Sequence, residues 1–156
     1  MTDNLKDTFW DRLDDITAGM LSAPSAPPRP MAHIAKRKDD MLWFITAKGT
    51  DIAQAAENGA PGQYTLASSH GQLYAAVEGT LKVVNDPEKL DEIWSPMAAA
   101  WFEDGRHDDK VCLVGFTPVK AEVWETDGTA KTLFEMARAN ITEDTPDLGK
   151  HGHLTF

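Results

Sequence analysis

The chain has 156 residues with five tryptophans and a hydrophobic fraction of 42%, enough to bury the core of a single domain over 1–156 without a disulfide or a structural metal. Acidic residues outnumber basic ones by 25 to 15, and the resulting formal charge of -10 repels phosphate backbones and anionic lipid, which argues against nucleic acid and membrane as partners. The single cysteine, Cys112, lies in the apolar run Val111-Cys112-Leu113-Val114, so an intramolecular disulfide is excluded and a buried thiol is expected.

The N-terminal residues lack a basic region followed by an apolar stretch, and no segment reaches the length of a membrane span, so a cytoplasmic location is expected. Leu5, Phe9, Leu13 and Ile16 recur at helical spacing and predict an amphipathic helix over about 4–17. Ala18 to Ser22 follows as a short strand. Three prolines within Ala23 to Pro28 then predict a loop, because proline gives no donor to a ladder.

Met31 to Arg37 and Met41 to Thr46 read as a hairpin across the polar turn Lys38-Asp39-Asp40. Gly49 to Asn58 carries helix signals: Thr50 or Asp51 at the start, alanines within, Asn58-Gly59 at the end. Gln63 to Ala67 and Leu73 to Val84 form a second strand pair, with Gly79 marking a bulge or bend.

Asp86-Pro87-Glu88 opens a helix through Trp94, and Pro96 to Phe102 another. Val111 to Phe116 and Ala121 to Trp124 return to strand. Leu133, Phe134, Met136 and Ala137 support a last helix over Thr129 to Asn140, and the remainder reads as a polar tail within about 129–156. The order predicts an α+β fold, an antiparallel barrel of about six strands over 18–126 with peripheral helices.

Seven stretches in a fixed order carry a resemblance. They are Arg29-Pro30-Met31; Leu42-Trp43-Phe44-Ile45-Thr46 leading to Gly49-Thr50; Glu78-Gly79-Thr80; Trp94-Ser95-Pro96-Met97; Ala100-Trp101-Phe102; Ala121-Glu122-Val123-Trp124; and Pro146-Asp147-Leu148-Gly149. Together they resemble the general stress protein branch of the pyridoxamine 5'-phosphate oxidase-like family of FMN-binding split β-barrels. The resemblance implies a homodimer with FMN at the subunit interface, both subunits contributing to each site.

Carried over residue by residue, the resemblance makes Arg29 the first phosphate ligand, a role its planar donor fork and permanent charge suit. Thr46 and Thr50 flank the turn into the following helix, where hydroxyls and free amides hold phosphate oxygens. The family's oxidases place a lysine two residues after this turn; here that position is Ile52, and Lys48, on the other side, is the substitute cation. Pro30, Met31, Phe44 and Ile45 are the expected contacts of the isoalloxazine ring, with Trp124 as a later aromatic contact. Tyr74 stands where the oxidases reach the flavin from the partner subunit. Trp94 and Trp101 are expected beside its exposed face, whereas Trp43 reads as core.

Among His33, His70, His107, His151 and His153 no metal-ligand spacing occurs, and His151-Gly152-His153 falls in the predicted tail, so no metal is expected. Glycine-rich nucleotide loops and nucleophile elbows are absent, and Glu103-Asp104 and Asp108-Asp109 read as solvated surface. The resemblance leads to a flavoprotein passing electrons between a small donor, such as a reduced nicotinamide, and a small acceptor, the flavin doing the redox work. The alternative is a non-enzymatic stress protein that sequesters flavin. Glu125-Thr126-Asp127-Gly128 replaces the arginine- and histidine-containing motif of the true oxidases, which argues against vitamin B6 oxidation, while haem or deazaflavin stays open on this barrel.

Overall fold

The computed structural model describes residues 2–70, 72–126, 136–141 and 149–156. Helix α1 (Thr2–Leu13) precedes strands β1 (Ala18–Ala23), β2 (Ala26–Ala32) and β3 (Ile34–Lys36), a 3-10 turn (Arg37–Asp39) and β4 (Met41–Ala47). Then come α2 (Asp51–Glu57), β5 (Pro61–Ser68), β6 (Leu73–Val83), α3 (Pro87–Ile93), α4 (Pro96–Ala99), a 3-10 turn (Gly105–His107), β7 (Val111–Thr126) and β8 (Gly149–Thr155). Residues 136–141 are helical, in keeping with the predicted last helix; the rest of that helix, and Pro146-Asp147-Leu148, lie outside the described residues.

The strands form one antiparallel sheet in the order β2-β1-β5-β6-β7-β4-β3, with β8 also paired to β7. Strand β7 is long enough to serve two partners on one edge, β4 along Val111–Phe116 and β8 along Lys120–Thr126, while β6 runs along the other. Its middle holds Pro118, in the gap between the two strand segments expected over Val111–Phe116 and Ala121–Trp124. The ladder survives because it bulges there: Glu78 faces Lys120 but Gly79 faces Pro118, leaving Val119 unpaired and 53% exposed. Gly79 is required at this point, since a Cβ would come within 2.8 Å of the Phe116 ring.

Two further expectations are corrected. Of the segment expected as loop, Pro24-Ser25 is a turn and the residues from Ala26 onward belong to strand β2; among the described residues β2 pairs only with β1, so half its amides face no ladder, and Pro28 and Pro30, two residues apart, turn the same way. The tail is strand β8, whose alternation is nearly silent because only Leu154 among its side chains is buried. Eight strands therefore stand where about six were expected.

One row across the sheet fixes which face is inside. Leu21, Tyr64, Val77, Ala121 and Leu154 are successive cross-strand neighbours, and all are buried in the main core. Helix α1 adds Leu5, Phe9, Trp10 and Leu13 to it. Arg12 secures the helix, donating to the Gln72 carbonyl at 2.6 Å, the Thr126 carbonyl at 2.9 Å and Glu125 Oε1 at 3.3 Å.

A second, smaller cluster lies on the other side of β4 and β7, where Met41, Trp43, Leu113 and Ile93 meet under α3. Asp39 ties it down: it accepts from Trp43 Nε1 at 3.2 Å and from Lys89 Nζ at 2.8 Å, and this lysine holds the Asp39 carboxyl below its ordinary range. Trp43 is thus a structural residue, as expected.

The cap of α2 is as the sequence implied. Thr50 Oγ1 accepts from the Ala53 amide at 3.2 Å and donates to the Ala47 carbonyl at 3.0 Å, and Gly49, at φ 85, supplies the left-handed residue of the turn. Thr50→Ala is expected to lower stability by about 1 kcal/mol, measured as a shift in urea midpoint at unchanged m-value.

Candidate functional site

The sheet is slit where its two end strands meet in sequence. Strand β2 has one partner and β3 covers only Met41–Trp43 of β4, so among the described residues the β3-side edge of 44–47 has no strand beside it. His33 alone separates β2 from β3, which makes it the hinge of the slit. Both β4 and α2 lie against β2, bringing the Arg29-Pro30-Met31 strand next to the turn that carries Thr46, Lys48 and Thr50.

Arg29 pairs with Leu21 and Met31 with Gly19, so both share the inner phase of the sheet. At the open edge that phase is not covered: Met31 packs partly against the core, while Arg29 is exposed and its side chain has no hydrogen bond or ion pair with another described residue. Thr46, opposite Cys112, is buried on the same phase, and its Oγ1 lies 3.3 Å from Thr50 Oγ1. Lys48 is exposed, its amide donating to the Lys110 carbonyl at 2.8 Å. Burial pushes the Cys112 thiol up, and the nearby Glu57 adds to this while Lys48 offsets part of it.

Two of the expected ring contacts turn their side chains to the two cores. Phe44 is fully buried in the core, edge-on to Tyr64 with centroids 5.0 Å apart, so at most its backbone faces the slit. Ile45 turns the other way and packs against the second cluster. Ile52 is likewise fully buried with Ala53, Ala55 and Ala56; the position where the oxidases carry lysine is spent here on attaching α2 to the core.

Pro30, Tyr74 and Trp124 belong to the outer face instead. One outer row runs Pro30, Met20, Thr65, Ala76, Glu122, His153, and the next runs Ala67, Tyr74, Trp124, His151. Met20 and Trp124 are 41% and 38% exposed, an apolar component on an otherwise polar sheet face. Trp94 packs on Phe102 with centroids 6.0 Å apart, and Trp101 is 81% exposed. The expected residues thus fall into a slit group, an outer-face group and two residues whose side chains serve cores, while Trp94 and Trp101, flanking α4, join none of these.

Sequence reasoning passed over His33. It is buried, with Nε2 2.9 Å from the Leu13 carbonyl at the end of α1 and Nδ1 2.6 Å from the Tyr64 hydroxyl. A carbonyl only accepts, so Nε2 carries a proton and donates to Leu13; the Tyr64 hydroxyl donates to the Met31 carbonyl at 2.9 Å, and its oxygen is the atom that faces Nδ1. Burial lowers the His33 pKa from its ordinary 6.5, the Leu13 bond and Asp14 opposing in part, and it pushes the Tyr64 phenol up.

The sign follows. The unfolded chain takes up the His33 proton near pH 6.5 and the folded chain only at lower pH, so stability falls as pH drops through 6.5 and levels off below the folded pKa. In urea unfolding between pH 7.5 and 5, His33→Gln is expected to lose less stability than the wild type; equal losses would remove His33 from the account.

An open groove of about 650 Å³ lies on the outer side, lined among others by Ser22, Pro24, Gln63, Glu78, Thr80 and Val119. None of the slit residues lines it. Among the described residues no group of three His, Cys, Asp or Glu is arranged to hold a metal ion, and no helix is long and apolar enough to cross a membrane.

A curled antiparallel sheet, slit beside a cation-bearing edge strand, with an amphipathic helix against the core, defines a split β-barrel domain. The chain belongs to the family described as pyridoxamine 5'-phosphate oxidase like, which matches residues 4–147, and within it to the general stress proteins. A crystal structure assigned as general stress protein 26 from Jannaschia sp. CCS1 is 42% identical, with 99% of each chain covered and a TM-score of 0.92. The general stress FMN/FAD binding protein from Xanthomonas citri is 26% identical over 81% of this chain and 92% of its own, TM-score 0.72. A general stress family protein from Xanthomonas campestris pv. campestris is 27% identical over 83% and 92%, TM-score 0.72. No curated protein matches.

Proposed function

We propose that this chain is a flavin-binding general stress protein that holds FMN in the slit and acts as a homodimer, the outer face of one subunit completing the site of the other. The observation that carries the reading is Arg29: an exposed guanidinium without a partner among the described residues, on the slit edge of a strongly acidic chain. A phosphate dianion suits it, since a bidentate charge-assisted pair is the strongest contact such a fork makes. The general stress relative from Xanthomonas citri, named for FMN and FAD binding, supports the same ligand class.

The residues present fit the group. Arg29 and Lys48 would hold the phosphate, together with the backbone of the Gly49-Thr50 turn; the Thr50 hydroxyl is already engaged in capping α2. Met31 and the unpaired edge of 44–47 would face the ring from one subunit, and Tyr74 and Trp124 from the other. Bound flavin supplies two-electron redox chemistry, for which a reduced nicotinamide is the natural donor class. The protein's part is to bind, orient and exclude water.

Oxidoreductase activity on a small acceptor is the first reading. Flavin sequestration is favoured by one observation: the charged side chains at the slit, Arg29 and Lys48, are both cations, suited to holding an anion. Calorimetric titration with FMN and FAD, followed by anaerobic mixing of the loaded protein with reduced nicotinamide, tests both. Binding of FMN at one per chain with rapid bleaching supports the oxidoreductase; binding without bleaching supports sequestration; no heat with either flavin overturns the proposal.

A further inference from the structure

Strand β8 brings to the outer face a histidine that no sequence motif singles out. His151 lies opposite Trp124 in the β7–β8 register, and the two rings stack with centroids 5.0 Å apart and planes 9° from parallel. Its Nε2 is 2.8 Å from Glu122 Oε2; a carboxylate only accepts, so Nε2 carries the proton and Nδ1 is left as the open ring nitrogen. His153 stands beside it, Nε2 3.7 Å from the same oxygen. Glu122 and Trp124 alternate on β7 and His151 and His153 on β8, so all four share the outer phase.

The indole of Trp124 is 38% exposed on the outer sheet face, with Tyr74 and His151 as its cross-strand neighbours. His151 is the one whose ring stacks on it, and Glu122 in turn holds His151. We infer that His151 is a positioning residue: held by Glu122, it fixes the plane of the Trp124 indole that meets the flavin, and so makes the C-terminal strand part of the site. The inference rests on the flavin reading for its consequence, but the ring pair itself is independent of it.

Two measurements on the untagged full-length protein separate these parts. The first is the fluorescence of Trp124, taken as the difference between the wild type and Trp124→Phe. The groups beside His151 are Glu122 from β7, His153 from β8 and Trp124 itself. A ring stacked on the indole shields it from acrylamide, so quenching of the Trp124 component is expected to step up in His151→Ala. Absence of that step in His151→Ala overturns the inference.

The second is FMN affinity by quenching of flavin fluorescence. His151→Ala is expected to weaken FMN by about three- to tenfold, the scale of one aromatic pair, and His151→Phe, which keeps a ring but not the Glu122 bond, by less than about twofold. A wild type that binds FMN while His151→Ala binds it equally well also overturns the inference. A wild type that binds no flavin overturns the flavin reading instead, and the fluorescence step then decides whether His151 holds the indole.

Discussion

Arg29→Ala is expected to fold as the wild type does and to bind FMN roughly 10- to 100-fold more weakly, the loss that follows from one charge-assisted contact of about 1.5–3 kcal/mol. The fold is spared because Arg29 is exposed on an edge strand and has no partner among the described residues, so its truncation strands no buried group. Arg29→Lys is expected to recover only part of the affinity, since an ammonium keeps the charge and loses the two-pronged geometry. Thermal midpoints without flavin should agree for all three proteins, and titration should separate them. Equal affinity in wild type and Arg29→Ala would remove the phosphate from this edge of the slit.

Phe44→Ala is expected to have the opposite profile, a large loss of stability of about 3–5 kcal/mol. Its ring is fully buried between β4 and the core and meets Tyr64 edge-on at 5.0 Å, and Tyr64 is itself tied to His33. Removing it opens a cavity beside a buried hydrogen-bond network that cannot collapse freely. Phe44→Leu, which keeps most of the volume, should bind FMN within about twofold of the wild type, because the side chain faces the core. A marked affinity loss in Phe44→Leu at modest cost in stability would restore the ring contact that the resemblance implies.

These two residues show where the sequence was legible and where it was not. The β5–β6 hairpin, the Thr50 and Asp86 caps and the helix of Leu5, Phe9 and Leu13 follow from local chemistry, and each is found; the strand expected over Met31–Arg37 instead breaks at His33, its start pairing with β1 and only Ile34–Lys36 pairing with β4. The run Leu42-Trp43-Phe44-Ile45-Thr46 is apolar nearly throughout because both faces of β4 are covered, one by the main core and one by the cluster under α3. A strand covered on both faces shows no alternation, so its inward and outward residues are not separable by pattern. Phe44 and Ile45 became expected ring contacts through the resemblance, and the pattern held nothing to set against it.

The misses at β2 and β8 have the opposite cause. Both are strands at the margin of the sheet with little buried side chain, β2 rich in proline and β8 rich in glycine and histidine, so local propensity spoke against them. Tertiary pairing overrode it: β1 supplies the ladder for one and β7 for the other. The cost to the site reading was specific, since His151 and its pairing with Glu122 become visible only once β8 is in register with β7.

The partition of the expected residues between slit and outer face also bears on assembly. Tyr74 and Trp124 lie on a different phase of the sheet from Arg29, Met31 and Thr46, so one ligand is shared by both groups most simply when they come from two subunits. Sedimentation of a protein with Trp124→Glu, set on the half-exposed outer row beside Tyr74, is expected to show more monomer than the wild type, together with weaker FMN binding. Unchanged assembly would remove the outer face from the proposed dimer interface.

The most direct test of the central claim is the absorption spectrum of the freshly purified protein, followed by the mass of whatever denaturation releases. The account predicts a flavin spectrum and the mass of FMN, or, for protein purified without ligand, uptake of added FMN. A colourless protein that leaves added FMN free would contradict it.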